Sequence, residues 1–150
     1  MSTGVLAGKR GLIMGVANDK SIAWGIAQSA AREGAELAFS YQGNVLEKRV
    51  APLAEQVGAD MLTCDVTDDA SIDALFKALE DKWGSLDFVV HAIGFSNKDE
   101  LKGEYLGTSR ENFALTMDIS VYSFTAVAQR AAPLMNEGGS LVTLTDRKST

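Results

Sequence analysis

Short apolar runs recur along the chain and are separated by polar or glycine-containing segments. They lie at residues 12–14, 36–41, 61–64 and 86–90. Runs bounded by turn residues are typical of strands, and the last of these runs fits a strand that is buried on both faces of a parallel sheet. We therefore predict four strands in this part of the chain.

Helical periodicity fills the segments between these runs. In the clearest case, apolar residues follow the i, i+3, i+4, i+7, i+11 spacing of one helix face. These residues are Ile72, Leu75, Phe76, Leu79 and Trp83. Helices are predicted at residues 21–33, 45–57, 69–83 and 109–135, with a break in the last one around 118–121.

The first predicted helix has a signal at each end. Ser21 is a candidate N-cap, because its hydroxyl can accept a hydrogen bond from an unpaired amide of the first turn. Gly34 suits the left-handed position just beyond the last helical residue.

The alternation of strands and helices predicts an α/β fold with a Rossmann-like, doubly wound parallel sheet. A fifth strand is predicted at residues 141–145, after Gly138 and Gly139. No internal repeat or linker interrupts the pattern, so residues 1–150 are expected to form one domain. The longest irregular segment, 94–108, is a candidate functional loop, because loops of that length in compact domains are usually functional or mobile.

The composition narrows the classes of partner. The chain has 150 residues, 46% of them hydrophobic, and a formal net charge of −6. An acidic chain repels phosphate backbones and anionic lipid surfaces, so neither nucleic acid nor a membrane is an expected partner. No apolar run approaches the roughly 20 residues of a membrane span, and the first residues do not resemble a signal peptide. A cytoplasmic protein is expected.

Metal and thiol chemistry are not expected. Cys64 is the only cysteine and His91 the only histidine, which argues against a disulfide, a thiolate cluster or a histidine-based metal site. Since His91 ends an apolar run, a packed residue at the end of a strand is favoured over a catalytic one.

The first strand-to-helix turn is the candidate phosphate site, because this turn receives the pyrophosphate in doubly wound dinucleotide-binding folds. Gly15 would let the backbone approach a phosphate, and Ser21 could donate a hydrogen bond to it. The amides at the start of the helix add a favourable dipole. The spacing differs from G-x-G-x-x-G, so an ordinary glycine turn capped by serine remains open from the residues alone.

The ends of the second and third strands bear on the choice of cofactor. Residues 40–42 contain no acid to hold ribose hydroxyls and no base to pair with a 2′-phosphate, which favours NADH over NADPH. Lys48 and Arg49 follow closely and keep NADPH open. Asp65 and Val66 could read the edge of an adenine ring, although from the residues alone a turn or capping aspartate is favoured.

Four stretches together resemble one known family. They are Gly-Val-Ala-Asn-Asp-Lys-Ser-Ile-Ala-Trp-Gly-Ile-Ala at 15–27, Cys-Asp-Val at 64–66, His-Ala-Ile-Gly-Phe at 91–95 and Asp-Ile-Ser-Val-Tyr-Ser-Phe at 118–124. In this order they resemble the enoyl-acyl-carrier-protein reductases, a divergent branch of the short-chain dehydrogenase/reductase superfamily. The resemblance covers about residues 6–145.

The resemblance implies a cofactor site for NADH and the beginning of a substrate pocket. The cofactor residues would be Gly15, Ser21 and Ile22 around the pyrophosphate, Gln42 near the adenosine ribose, Asp65 and Val66 at the adenine, and Ile93 and Gly94 at the nicotinamide-side ribose. Phe95 and Ser96 would begin the loop that lines the fatty-acyl pocket.

The reaction implied by the resemblance is the NADH-dependent reduction of a trans-2-enoyl group on acyl carrier protein during fatty-acid elongation. In the family, a tyrosine and a lysine stabilise the enolate oxygen, and the enzyme is a homotetramer. Asp146 stands where the first active-site tyrosine would be, and the family's next helix, with a second tyrosine and the lysine, would lie beyond Thr150. We therefore expect no catalytic residue in this chain and no activity from it alone.

Two alternatives remain open. A 3-oxoacyl reductase of the same superfamily is disfavoured, because the first turn lacks clustered glycines and Ala92-Ile93-Gly94 replaces the usual Asn-Ala-Gly. The other is a non-catalytic fragment that binds nucleotide.

Overall fold

Five parallel strands form the centre of the computed structural model, which describes residues 4–146. The strands are β1 (Arg10–Met14), β2 (Glu36–Tyr41), β3 (Asp60–Thr63), β4 (Leu86–His91) and β5 (Met135–Thr143). The helices are α1 (Ile22–Arg32), α2 (Gly43–Val57), α3 (Asp69–Trp83), α4 (Arg110–Met117) and α5 (Ser123–Ala131), with a π-helical turn (Asp118–Tyr122) between the last two.

The strand order is β3-β2-β1-β4-β5, and every neighbouring pair is parallel. The chain thus runs outward from β1 in one direction through β2 and β3, and then in the other direction through β4 and β5. This reversal next to β1 defines a doubly wound sheet and confirms the predicted fold class.

Consecutive residues of β1 explain why the apolar runs do not alternate with polar residues. Leu12, Ile13 and Met14 are all fully buried, but successive side chains point to opposite faces of the sheet. Leu12 and Met14 join a core with α3 and α5, whereas Ile13 joins a second core with α1 and α2. The helices therefore cover the two faces of the sheet, and each face has its own core.

Most predicted boundaries agree with the structure to within two residues. The prediction for β2 matches, α2 begins at Gly43 rather than at residue 45, and Gly34 has the expected positive φ, 91°. The predicted break in the long helix is the π-helical turn.

The prediction for β5 was wrong at both ends. The strand begins at Met135 and ends at Thr143, so Gly138 and Gly139 lie inside it rather than before it. Leu86 pairs with Met135 and Phe88 with Ser140, so residues 136–139 form a bulge opposite Asp87. Gly138 has a φ of 77° in this bulge, a conformation that glycine adopts readily.

Asp87 ties the amino ends of three strands together. Its carboxylate accepts hydrogen bonds from the Arg10 backbone N–H at 2.8 Å and from Asn136 Nδ2 at 3.0 Å. Lys9 Nζ lies 3.6 Å away. Burial raises the pKa of this carboxyl, but the bonds from Asn136 and Arg10 and the charge of Lys9 outweigh it, and the pKa is lowered.

Candidate functional site

A cavity of about 420 Å³ lies at the carboxyl ends of β1, β2, β3 and β4. It is formed mainly by the segments that follow these strands, together with the π-helical turn. Most of the predicted site residues line it, namely Gly15, Gln42, Asp65, Val66, Ile93, Gly94 and Phe95. The end of the sheet where ligands bind in doubly wound folds is thus also where the sequence-predicted residues meet.

Three predicted residues do not belong to the cavity lining. Ile22 is exposed at the start of α1, and the hydroxyl of Ser96 accepts a hydrogen bond from Asn112 Nδ2 at 3.0 Å. Ser21 occupies the N-cap position, but its side chain makes no capping bond, so the predicted cap was wrong in its contacts.

The hydroxyl of Ser21 instead closes the β1–α1 turn. Its Oγ accepts hydrogen bonds from the backbone N–H groups of Ala17 and Asn18, both at 3.0 Å. These two backbone N–H groups therefore have their hydrogen-bond acceptor within the turn itself. A hydroxyl has one hydrogen of its own, which Ser21 can still donate to an oxygen at the mouth of the turn.

Position 15 requires glycine for two reasons: its backbone conformation and the lack of room for a side chain. Its φ is 109°, which side-chain-bearing residues rarely adopt. A Cβ built on Gly15 would lie 2.0 Å from the carbonyl oxygen of Ala92, in the segment after β4. The glycine therefore lets the two segments after β1 and β4 meet at the floor of the cavity.

Asp65 has two roles. Its Oδ1 accepts hydrogen bonds from the backbone N–H and the hydroxyl of Thr67, at 2.9 and 2.7 Å, which is the turn role that the residues alone favoured. These bonds, and a further one from Gln42, lower the pKa of Asp65. The carboxylate is therefore ionised at neutral pH, and it lines the cavity as a hydrogen-bond acceptor.

The charge in the described lining of the cavity is negative. Within the described part of the chain, its lining contains the carboxylate of Asp65 but no lysine or arginine, and Lys48 and Arg49 are not among the lining residues. Apolar side chains such as Val66 and Ile93 form much of the remaining wall. The cavity suits a partly apolar group that donates hydrogen bonds, and no lysine or arginine of its described lining could pair with a phosphate.

His91 is a packed residue, as the pattern favoured. Its side chain is fully buried, with Nδ1 2.9 Å from Thr143 Oγ1 and Nε2 2.7 Å from Ser123 Oγ. Burial lowers the pKa of its imidazole, which is therefore neutral at pH 7. His91 joins β4 to β5 and α5.

Cys64 also has a structural environment. It is buried, and burial raises the pKa of its thiol to about 11. The thiol therefore stays protonated, and Cys64 contributes a small, unreactive surface to the cavity lining.

Ile119 is a lining residue to which sequence reasoning gave no role. It lies in the π-helical turn, far along the chain from the other lining residues, and lines the same cavity as Gly94 and Phe95. The predicted break at 118–121 was the available signal, because a mid-helix irregularity often marks a functional site.

Comparison with known proteins assigns the family. Residues 15–149 match the family model described as enoyl-(acyl carrier protein) reductase. The chain belongs to this family. It is 66% identical over 145 residues to enoyl-[acyl-carrier-protein] reductase [NADH] 1 of Rhizobium meliloti, covering 96% of this chain and 53% of that protein.

Solved structures of the reductase family have the same fold. The structure of the Anaplasma phagocytophilum reductase in complex with NAD is 54% identical, with a TM-score of 0.90, and the match covers 95% of this chain and 56% of that one. The Bacillus cereus reductase, solved with NADP+ and an indole naphthyridinone, is 46% identical with a TM-score of 0.91, and the match covers 95% and 56%. The chain spans about half the length of the curated relatives it matches.

No helix in the described residues 4–146 is both long enough and apolar enough to cross a membrane.

Proposed function

We propose that the chain is the dinucleotide-binding domain of an NADH-dependent enoyl-acyl-carrier-protein reductase. The whole protein would reduce trans-2-enoyl-acyl carrier protein to acyl-acyl carrier protein in fatty-acid elongation. The observation that carries the proposal is the cavity of about 420 Å³ at the reversal of the strand order, in a chain 66% identical to a relative named for this activity. A cytoplasmic homotetramer that accepts acyl carrier protein is part of the same proposal.

The adenosine end of the cofactor would lie between the segments after β2 and β3. The ionised Asp65 can accept a hydrogen bond from an adenine amino group, and Val66 offers an apolar contact to the ring. Gln42 would lie near the adenosine ribose. Because no lysine or arginine of the described chain lines this cavity, it fits the free 2′-hydroxyl of NADH better than the 2′-phosphate of NADPH.

The pyrophosphate would lie against the β1–α1 turn. Gly15 gives the backbone its close approach, the hydrogen of the Ser21 hydroxyl can be donated to a phosphate oxygen, and the start of α1 at Ile22 adds its dipole. Ile93 and Gly94 would flank the nicotinamide-side ribose. When bound, the cofactor supplies the hydride, so this chain's task is placement.

The substrate would approach beside the segment that follows β4. Phe95 lines the cavity and is 49% exposed, which suits contact with an acyl chain. Ser96 turns its hydroxyl to Asn112 instead. We therefore propose Phe95 as the substrate contact and assign Ser96 to support of the loop.

Two experiments test the function. Calorimetry of the 150-residue chain with NADH and with NADPH should give binding of NADH that is tighter by at least about tenfold, the effect of roughly 1.4 kcal/mol. A chimera that joins residues 1–143 to the carboxyl-terminal half of the Rhizobium meliloti relative should oxidise NADH when crotonyl thioester is added.

The outcomes separate the alternatives. A chimera that reduces only 3-oxoacyl thioesters would indicate a ketoreductase. A folded chimera that binds NADH but reduces neither thioester would indicate a non-catalytic nucleotide-binding domain.

A further inference from the structure

One polar stripe runs along the helical segment made of α4, the π-helical turn and α5. Asn112, Thr116, Ser120 and Ser123 are spaced by four, four and three residues, so they share one face of the helical segment. This face contacts the end of β4 and the residues that follow it. We call Asn112, Ser120 and Ser123 the polar seam.

The seam bonds to the last residue of β4 and to three residues that follow the strand, Phe95, Ser96 and Asn97. Ser123 bonds to the ring of His91 at the end of the strand, at 2.7 Å. Ser120 Oγ accepts a hydrogen bond from the Phe95 N–H at 3.0 Å and donates one to the Phe95 carbonyl at 3.3 Å. One side chain therefore fixes both polar groups of a cavity-lining residue.

Asn112 extends the seam past the cavity. Its Oδ1 accepts a hydrogen bond from the Asn97 N–H at 2.9 Å, and its Nδ2 donates to Ser96 Oγ at 3.0 Å. The side chain of Asn112 is buried, with 3% of the residue exposed. A buried polar group whose bonds are all made to one segment restricts that segment to one arrangement.

The segment has little else to hold it. Phe95 is about half exposed, and the next elements are two short 3₁₀ turns without a buried residue, Lys98–Leu101 and Tyr105–Gly107. Ile93 packs against the core that contains α3 and α5. From Phe95 onward apolar packing contributes little, and side-chain hydrogen bonds are the main restraint.

Thr116 supplies an internal comparison. Its Oγ1 is buried on the same helix face but has no hydrogen-bond partner in the described part of the chain. Replacing an unpaired buried hydroxyl by a methyl group is neutral or stabilising. A change at this position thus alters the polarity of the face without removing a bond to the segment after β4.

We infer that the polar seam sets the position of residues 94–95 in the nicotinamide-side wall of the cavity, and that Ser120 is the central positioning residue. The inference rests on the proposed function for the identity of the ligand. Ser120 acts through the backbone of Phe95, and its chain neighbour Ile119 also lines the cavity.

The test compares Ser120→Ala with Ser120→Thr, which keeps the hydroxyl, and with Thr116→Val as the matched control. Two probes are titrated into each 150-residue variant: NADH, which would extend from the adenine end to residues 93–95, and AMP, which would occupy only the adenine end. Amide hydrogen exchange at Phe95 is followed by NMR without ligand.

Ser120→Ala should speed exchange at Phe95 and weaken NADH binding, each by about fivefold, the size of one net hydrogen bond. AMP affinity should stay unchanged. Ser120→Thr should restore both values towards wild type, and Thr116→Val should match wild type throughout.

Unchanged exchange at Phe95 in Ser120→Ala would overturn the inference, as would equal weakening of NADH and AMP, which indicates a general loss of structure. If the wild-type chain binds no NADH, the proposed function fails. The exchange data then still decide whether the seam holds the segment.

Discussion

Replacing Gly15 by alanine should strongly destabilise the protein. Two effects combine at this position. An L-residue at a φ of 109° is strained by roughly 1–2 kcal/mol. The new Cβ would also lie 2.0 Å from the Ala92 carbonyl oxygen, so one of two backbone segments must move.

The magnitude follows from these two terms. Forcing an extra carbon into a packed site costs typically about 1–3 kcal/mol. Together with the conformational strain, we expect Gly15→Ala to lower the free energy of unfolding by about 2–5 kcal/mol. Domains are commonly stable by only about 5–15 kcal/mol, so the change should be large in any equilibrium measurement.

Gly25→Ala is the matched control. Gly25 lies in α1, where a built Cβ would have no atom within 4 Å other than its chain neighbours and the backbone of its own helix. Alanine is a better helix former than glycine, so this variant should gain up to about 1 kcal/mol. Both variants add one methyl group to the same short stretch of chain, yet their effects should have opposite signs.

Urea unfolding followed by circular dichroism measures both changes, because the free energy of unfolding falls linearly with denaturant. The two variants should have the same slope as the wild type and shifted midpoints. A Gly15→Ala variant within about 0.5 kcal/mol of wild type would refute the account of the turn, since that is the size of ordinary surface substitutions.

Three further predictions concern single residues. Asp65→Ala should weaken NADH binding in calorimetry by about 1.5–3 kcal/mol, the contribution of a hydrogen bond to a charged group, and an unchanged Kd would remove Asp65 from the site. Gly94→Val should obstruct the cavity and weaken NADH binding. Gly94→Ala should bind NADH normally, because its Cβ would meet only Ser120 Oγ, at 3.8 Å. Equal NADH affinities of the two variants would contradict this prediction. The pKa of Asp87 is lower in the folded protein than in the unfolded chain. Its ionised carboxylate should therefore stabilise the fold fully above the unfolded pKa of about 3.9, and this stabilisation should disappear as the pH falls through the folded pKa. In urea titrations, the difference in unfolding free energy between wild type and Asp87→Asn should accordingly shrink on acidification.

The layout of the sheet could be predicted because local patterns coincide with burial. The run Leu12-Ile13-Met14 is apolar throughout because helices cover both faces, and α3 shows its buried face as a repeat in the sequence. The extent of β5 could not be predicted in this way. Its glycines look like a turn in the sequence, but they form a bulge whose shape depends on Asp87 in the neighbouring strand.

The cavity was predictable where it is built from the ends of strands. Gly15 directly follows β1, and Asp65 lies two residues after the end of β3, so the fold class alone brings them to one edge. Ile119 and Ser120 come from a helix distant in the chain, and their contacts depend on how that helix packs. Ser21 was correctly placed in the turn between β1 and α1. Its hydroxyl, however, accepts hydrogen bonds from the preceding N–H groups of Ala17 and Asn18 rather than from the first turn of α1.

The hydrogen bonds of Ser21 have a consequence for the energetics of binding. Because the loop between β1 and α1 is closed by its own serine, its shape exists before a ligand arrives, and association does not have to order it. Such preorganisation reduces the entropic penalty of complex formation. The same bonds withdraw two backbone donors from the proposed pyrophosphate, so its affinity would depend more on the start of α1 and on the contacts at the two ends of the cofactor.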